Sequence, residues 1–221
     1  MKKRDGFTLA EVLITLGIIG VIAAITLPAI NSNTGATRNR ALLKKGLSTL
    51  NSAVMMNDAR YGWNFSQVST TQPCHEISLA SHGSTSICAL LNDALTGEYF
   101  EGTGDKIVTN VGSESGAWPS SPFFQKYTLQ DGIEIGLQGS VACTEAQKGS
   151  CFGYIDVNGS DRGPNAVIEC KTPSESKPIW DSSYAACEVD ANANADLFPI
   201  VFYDSTVELA TNAAKAFFNA R

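Results

Sequence analysis

Hydrophobic residues are distributed unevenly along the chain. From Phe7 to Ile30 they run almost without a break, and Glu11 is the single ionisable side chain in that stretch. At roughly 1.5 Å per helical residue, Phe7 to Leu27 would make about 31 Å of helix, matching a hydrocarbon core of about 30 Å. The pattern therefore predicts a membrane-spanning helix over 7–30. Gly20 adds backbone freedom to it, and Pro28, with no N–H and a ring that clashes with the preceding turn, is expected to kink or loosen it. Gly and Pro are also simply common in membrane helices.

Beyond this stretch the spacing changes. Leu43, Leu47, Leu50, Val54 and Tyr61 fall on one helical stripe, while Arg38, Arg40, Lys44, Lys45, Asn51 and Asp58 are assigned to the opposite, solvated side. This predicts an amphipathic continuation of the helix over 31–61, stopped by Gly62. The four basic residues form a collar that would face water, lipid headgroups or acidic flanks of neighbouring molecules. From 62 to 221 the pattern is that of a head with short elements. Ser86 to Leu95 reads as a helix ending at Gly97. Tyr127–Leu129 and Ile133–Leu137 alternate around Asp131-Gly132, the signature of a hairpin. Phe152–Val157 is a strand closed by Asn158-Gly159. Leu197–Tyr203 is another, and Pro199 places it at an edge or makes it start late. The fold class is α+β, a long N-terminal helix packed on a small antiparallel sheet. The organisation is a leader (1–6), an apolar helix (7–30), an amphipathic helix (31–61) and a head (62–221). No internal repeat or low-complexity linker interrupts it.

Length and charge narrow the function. The chain has 221 residues, 43% apolar and 17% charged, with a net charge of −6. That is enough for one packed head, and it argues against a general nucleic-acid binder, which needs a clustered basic surface. Lys2, Lys3 and Arg4 outweigh Asp5 ahead of the apolar run, so the N-terminus should stay cytoplasmic and the head be exported. A conventional cleaved signal has a run of about 7–15 residues with small residues after it. Here the run is longer and the obvious small residue, Gly6, precedes it; cuts near Ala24 or Ala29, or an uncleaved anchor, are the alternatives.

Glu11 carries the sharpest chemical question. A charge deep in a membrane helix costs about 2.5–3.5 kcal/mol on insertion scales, and no Lys, Arg or His lies in the span to offset it. Its partner is expected from outside the span, or the carboxyl is protonated. A cut between Gly6 and Phe7 would create an α-amino group four residues from Glu11, with a reference pKa of about 7.7–8.0. The amine of one copy could then meet the carboxylate of another. Alternatively Glu11, only about 7 Å from Phe7 along the helix, snorkels to the headgroups.

The string Gly6-Phe7-Thr8-Leu9-Ala10-Glu11-Val12-Leu13-Ile14 resembles the N-terminal processing signature of type IV pilins and the pseudopilins of type II secretion. The resemblance implies removal of 1–6 by a prepilin peptidase, methylation of the Phe7 amine, and a role for Phe7, Glu11, Gly20 and Pro28 in assembly. It implies an inner-membrane, single-pass subunit that later polymerises into a periplasmic or surface filament. Its partners would be the peptidase, identical or related subunits, an assembly platform and membrane lipid, with no nucleic acid. A monomeric, membrane-anchored binding protein is the alternative of a different class. No convergent acid, base or nucleophile marks an enzyme.

All six cysteines, Cys74, Cys88, Cys143, Cys151, Cys170 and Cys187, lie in the exported part, where an even count reads as disulfides. Proximity favours Cys74 with Cys88, Cys143 with Cys151, and Cys170 with Cys187, each closure adding about 2–4 kcal/mol. Zinc at Cys74, His75, His82 and Cys88 is disfavoured, because adjacent Cys74 and His75 suit one tetrahedral ion poorly. The run from Asp156 to Asn165, followed by Asp196-Leu197-Phe198, is similar to an Asp-x-Asn-Gly, Gly-Pro-Asn, Asp-x-Phe pattern in the heads of many pilin-like proteins. Oxygens at Asp156, Asn158 and Asp161 would suit calcium, the one cofactor the sequence suggests. The competing reading, and the favoured one, is an Asx-rich turn whose side chains bond local backbone groups.

Overall fold

In a computed structural model the described residues are 8–69, 86–95, 97–99, 124–138, 142–159, 162–163, 165–172 and 187–220. Side chains at 26–34, 88, 92, 93, 97–99, 124, 125 and 138 lie outside the description. A single helix, α1 (Leu9–Tyr61), opens the fold. It is followed by α2 (Ile87–Ala94), β1 (Gly97–Tyr99), β2 (Phe124–Leu129), β3 (Glu134–Gln138), β4 (Phe152–Asp156), β5 (Leu197–Tyr203), β6 (Thr206–Leu209) and α3 (Asn212–Asn219). The six strands form one antiparallel sheet in chain order. The α+β layout is pilin-like, as the sequence predicts.

Local chemistry explains the main boundaries. Gly62 ends α1 in the left-handed region at φ 73°, which a residue without Cβ enters at little cost, and its N–H donates to Asp58 O. The Asp131-Gly132 turn joins β2 to β3 with Gly132 at φ 84° and Tyr127 opposite Ile135, the predicted hairpin. α2 begins at its cap Ser86, but its last residue is Ala94 and its cap Leu95; Gly97 opens β1 instead of stopping the helix.

The core lies between one side of α1 and one face of the sheet. Ala36, Leu43, Leu50 and Val54 of α1 are buried with Ile133, Ile135, Leu137, Ile155, Phe198, Ile200 and Phe202. Leu47 is only partly buried, and Tyr61, 49% exposed, is not in the core. Gly46 lets the helix come close, since a Cβ there would sit 3.2 Å from Ile155 Cγ2.

The solvated side assigned to α1 needs correction. Arg40 is buried; its Nε donates to Phe217 O at 2.8 Å, its Nη2 to Ala191 O at 2.7 Å, and its guanidinium stacks 4.7 Å over the Phe217 ring. Asn39 donates to Ala195 O. Asn51 acts as a substitute strand for the outer edge of β6, donating to Val207 O at 2.8 Å and accepting from Val207 N at 2.9 Å. Asp58 accepts from the Ser205 hydroxyl, and Lys45 pairs with Asp131. Polar residues flanking the apolar stripe thus hold the head to the helix. Hydrophobicity alone put Arg40, Asn51 and Asp58 on the wrong side, because backbone carbonyls and a strand edge also need partners, whereas Arg38, Lys44 and Lys45 are exposed as expected.

β5 is likewise not an edge strand; it pairs with β4 on one side and β6 on the other. Pro199 is tolerated because its carbonyl accepts Ala210 N–H beyond the last β5–β6 pair, Ile200 with Leu209. Its missing N–H therefore points where that ladder has already ended.

Among the described residues no helix is long and apolar enough to cross a membrane. The described apolar side chains of α1 run from Leu9 to Ile25, about 25 Å at roughly 1.5 Å per residue. Phe7 and side chains 26–30 of the predicted span, including Pro28, lie outside the description.

Arg40→Met should lower unfolding stability by about 2–4 kcal/mol, because two carbonyls lose charged donors. The exposed Arg38→Met should change it by less than about 0.5 kcal/mol. Urea unfolding of the chain in detergent, followed by far-ultraviolet circular dichroism, checks both.

Candidate functional site

The first turn of α1 is chemically unusual for an apolar helix. Thr8 is the N-cap in extended conformation, and its hydroxyl accepts from Glu11 N at 3.3 Å. In return Glu11 Oε2 accepts from Thr8 N at 2.8 Å and from the Thr8 hydroxyl at 2.9 Å. Thr8-Leu9-Ala10-Glu11 is thus a capping box, with two otherwise orphaned backbone donors satisfied reciprocally. For Glu11 the expectation of a counter-charge from outside the span, or of a protonated carboxyl, concerns the charge and not these hydrogen bonds. Its hydrogen bonding is met by Thr8, and only its charge lacks a counterion among the described residues. The Thr-x-x-Glu spacing was the available sequence signal. Thr15 returns its hydroxyl proton to Glu11 O and Val12 O, so it adds no unsatisfied donor.

Above this turn the large apolar side chains of the helix are exposed among the described residues. Leu13, Ile14, Leu16, Ile18, Ile19, Val21, Ile22 and Ile25 are each between 56% and 72% exposed, and they surround the axis. Burying one such side chain fully stabilises by about 1.5–3 kcal/mol, so the run is a large unused driving force for contact with lipid or protein. Gly20 has nothing near the position of a Cβ. Gly6 and Phe7, the predicted processing residues, lie outside the described residues.

The second group of sequence-selected residues is in the head, beside residues 35–39 of α1, where Asn39 donates to Ala195 O. Asp156 Oδ1 accepts from Asn158 N at 3.1 Å and Gly159 N at 3.0 Å. Asp196 accepts from Ala166 N at 2.6 Å, Asn165 N at 3.1 Å and Asn158 Nδ2 at 3.0 Å. The Asp-x-Asn-Gly, Gly-Pro-Asn and Asp-x-Phe segments therefore meet through backbone amides, the geometry of the Asx-rich turn. Asp161 lies outside the described residues. Among the described residues no three His, Cys, Asp or Glu side chains are grouped to hold a metal ion. Sequence reading missed Glu134, which faces Asp156 across β3 and β4, accepts from the Tyr154 hydroxyl at 2.6 Å and pairs with Lys126 at 3.2 Å. The Tyr154 ring crosses Gly136, where a Cβ would lie 1.8 Å from Cε1, so only glycine fits there.

Cys143 with Cys151 and Cys170 with Cys187 are disulfides, as proximity suggested. The first anchors the β5–β6 turn, since Cys143 O accepts Asp204 N–H and Cys151 O accepts Phe202 N–H. The second lies beside the Lys171–Glu188 ion pair. Cys74 and the Cys88 side chain, with His75 and His82, lie outside the description.

Burial, with the charges of Asp196 and Glu134 adding to it, pushes the Asp156 carboxyl from 3.8 up to about 7. A raised acid favours the protonated folded state, so its contribution is full below about pH 4, falls as pH rises toward 7, and is constant above. Asp156→Asn keeps the Oδ1 acceptor and removes the charge. Thermal melts with a calcium chelator present should show the native chain losing stability from pH 5 to 7.5 relative to this variant, by at most about 1.4 kcal/mol per pH unit.

Residues 1–27 match the family described as Prokaryotic N-terminal methylation motif. Comparison with curated proteins and with solved structures gave no significant match for the chain. The capped, charged first turn and the bare apolar helix behind it fall within the matched residues, and this start is the type IV pilin and pseudopilin signature.

Proposed function

We propose that the chain is a structural subunit of a type IV pilus-like or type II secretion pseudopilus filament. A prepilin peptidase removes 1–6 after Gly6 and methylates the Phe7 amine. The apolar half of α1 holds the subunit in the inner membrane with its head exported. The assembly platform then moves the helix from lipid into a bundle of identical or related subunits. The observation that carries this reading is the exposed Leu9–Ile25 surface within the matched residues 1–27. Lipid satisfies that surface before assembly, and other copies satisfy it afterwards.

Glu11 gives the step its selectivity. While the subunit is alone, the capping box satisfies the carboxylate's hydrogen bonding and leaves its charge unmatched in a medium where charge is costly. The Phe7 amine of an adjacent copy, cationic at neutral pH, supplies the missing counterion and fixes the axial register. The signature points to a structural protein, and the chain's chemistry is assigned to its processing enzyme.

Mass spectrometry of the native N-terminus should find N-methylphenylalanine at Phe7. An intact Met1 would instead identify a static membrane-anchored binding protein, and a start near 25–30 a secreted one. Glu11→Gln preserves the capping geometry and removes the charge. It should leave cleavage after Gly6 intact while reducing sheared filaments at least about tenfold, the equivalent of about 1.4 kcal/mol; filaments in normal number would contradict the pairing.

A further inference from the structure

The face of the sheet turned away from α1 holds a polar cluster as buried as the core. Ile135, Ile155 and Phe198 pack toward the helix, so by strand alternation the side chains of Lys126, Glu134, Tyr154 and Asp156 share the opposite face. Tyr154 and Asp156 are buried, and the Lys126 and Glu134 side chains are only 9% and 8% exposed. The pairs Lys45–Asp131, Lys171–Glu188 and Lys215–Glu208, by contrast, keep their lysines open to solvent. Register brings the buried groups together. Lys126 stands opposite Gly136 and Glu134 opposite Thr128, so the lysine reaches diagonally across the β2–β3 ladder and sets Nζ 3.2 Å from Glu134 Oε1. The bare Gly136 lets the Tyr154 ring cross β3, and the Tyr154 hydroxyl donates to the same Oε1 at 2.6 Å. Asp156 stands opposite Glu134 on β4.

A lysine and a glutamate held in contact away from water can condense. Proton transfer from the ammonium to the carboxylate leaves an amine and an acid, and the Nζ lone pair then attacks Glu134 Cδ, one bond beyond the oxygen it already touches. Negative charge develops on Oε1, where the Tyr154 hydroxyl is in place to donate, the arrangement of an oxyanion hole. The Cδ–Oε2 bond breaks, and Oε2 leaves as water with the carboxyl proton and one proton from nitrogen. An Nζ–Cδ amide remains, and no oxidant, reductant or second substrate is consumed. Three effects favour it. Two charges disappear from a site where each is costly to bury. Glu134 ceases to oppose Asp156 as a like charge across the β3–β4 ladder, while burial, the larger cause of the raised Asp156 carboxyl, is unchanged. Holding amine and carboxyl in contact also supplies the effective molarity that separate groups in water lack.

We propose that Lys126 and Glu134 become joined after folding by an intramolecular amide between Nζ and Cδ, with the Tyr154 hydroxyl stabilising the oxyanion through which it forms. The link ties β2 to β3 beside their turn, so that hairpin cannot be unzipped by heat or by force on the head. It depends on the head alone and forms whether or not the chain assembles.

The test is the mass of the purified full chain, compared with that expected for its own N-terminus and its disulfides. A further loss of about 18 Da, one water, is expected. After reduction, alkylation and trypsin, Lys126 should resist cleavage, so that residues 107–148 appear as one peptide carrying the loss. Lys126→Arg keeps a cation beside Glu134 but has no amine to condense, and should show the full mass. Glu134→Gln can still react, releasing ammonia in place of water, and should lose about 17 Da. Tyr154→Phe keeps the ring over Gly136 and removes the donor; such a donor is worth about 100-fold in rate, so chain sampled as soon as it is purified should retain the unlinked mass. Native chain of full mass overturns the link. So does a loss of about 18 Da confined to residues 127–148 with Lys126 cleaved, the mark of a cyclised Asp131-Gly132. Tyr154→Phe linked as completely as the native chain overturns the part given to Tyr154.

Discussion

The structure depends on the way one continuous helix divides its apolar surface. From Ala36 onward the apolar side of α1 is closed against the sheet, while from Leu9 to Ile25 it is open all round. A head that satisfies its own core has no reason to fold back over the first half, and the first half cannot be left in water. Burial of about 1.5–3 kcal/mol for each large side chain over so many positions exceeds the marginal stability of an ordinary domain. On the proposed reading, lipid or copies of the same chain cover this half.

The head is built to carry that helix rigidly. Arg40, Asn39, Asn51, Asp58 and Lys45 flank the buried stripe and bind the 191–195 loop, the C-terminal helix, the β6 edge, the β5–β6 turn and the β2–β3 turn. Every one of these contacts is made beyond Gly35, so the apolar half projects from a firm base. In the proposed filament such a base would transmit force, and polar contacts that fix direction complement apolar contacts that fix distance. The disulfide Cys143–Cys151 does the same at the β5–β6 end of the sheet.

Much of this was legible in the sequence. The Gly62 stop, the Asp131-Gly132 hairpin, the strands beginning at Phe152 and Leu197, and two disulfides followed from turn chemistry, alternation and proximity. The errors share one cause. Arg40 and Asn51 were placed in solvent, and Pro199 at an edge, because sequence patterns report apolar periodicity and not the carbonyls and strand edges that a distant segment will present. β6 and α3 lie outside the predicted elements because Thr206–Leu209 and Asn212–Asn219 are only four and eight residues long, too short for their alternation to stand out. At the N-terminus, the Thr8-x-x-Glu11 spacing is itself a capping-box signal, and the lone charge it carries is the more conspicuous feature of the same residues.

The most direct measurement is an electron cryomicroscopy reconstruction of the assembled material at side-chain resolution. The account predicts Leu9–Ile25 segments of many copies gathered at the axis, in contact with one another and free of lipid, with the sheets facing outward. Native chain found only as separate molecules, each with Leu9–Ile25 surrounded by lipid, would contradict it.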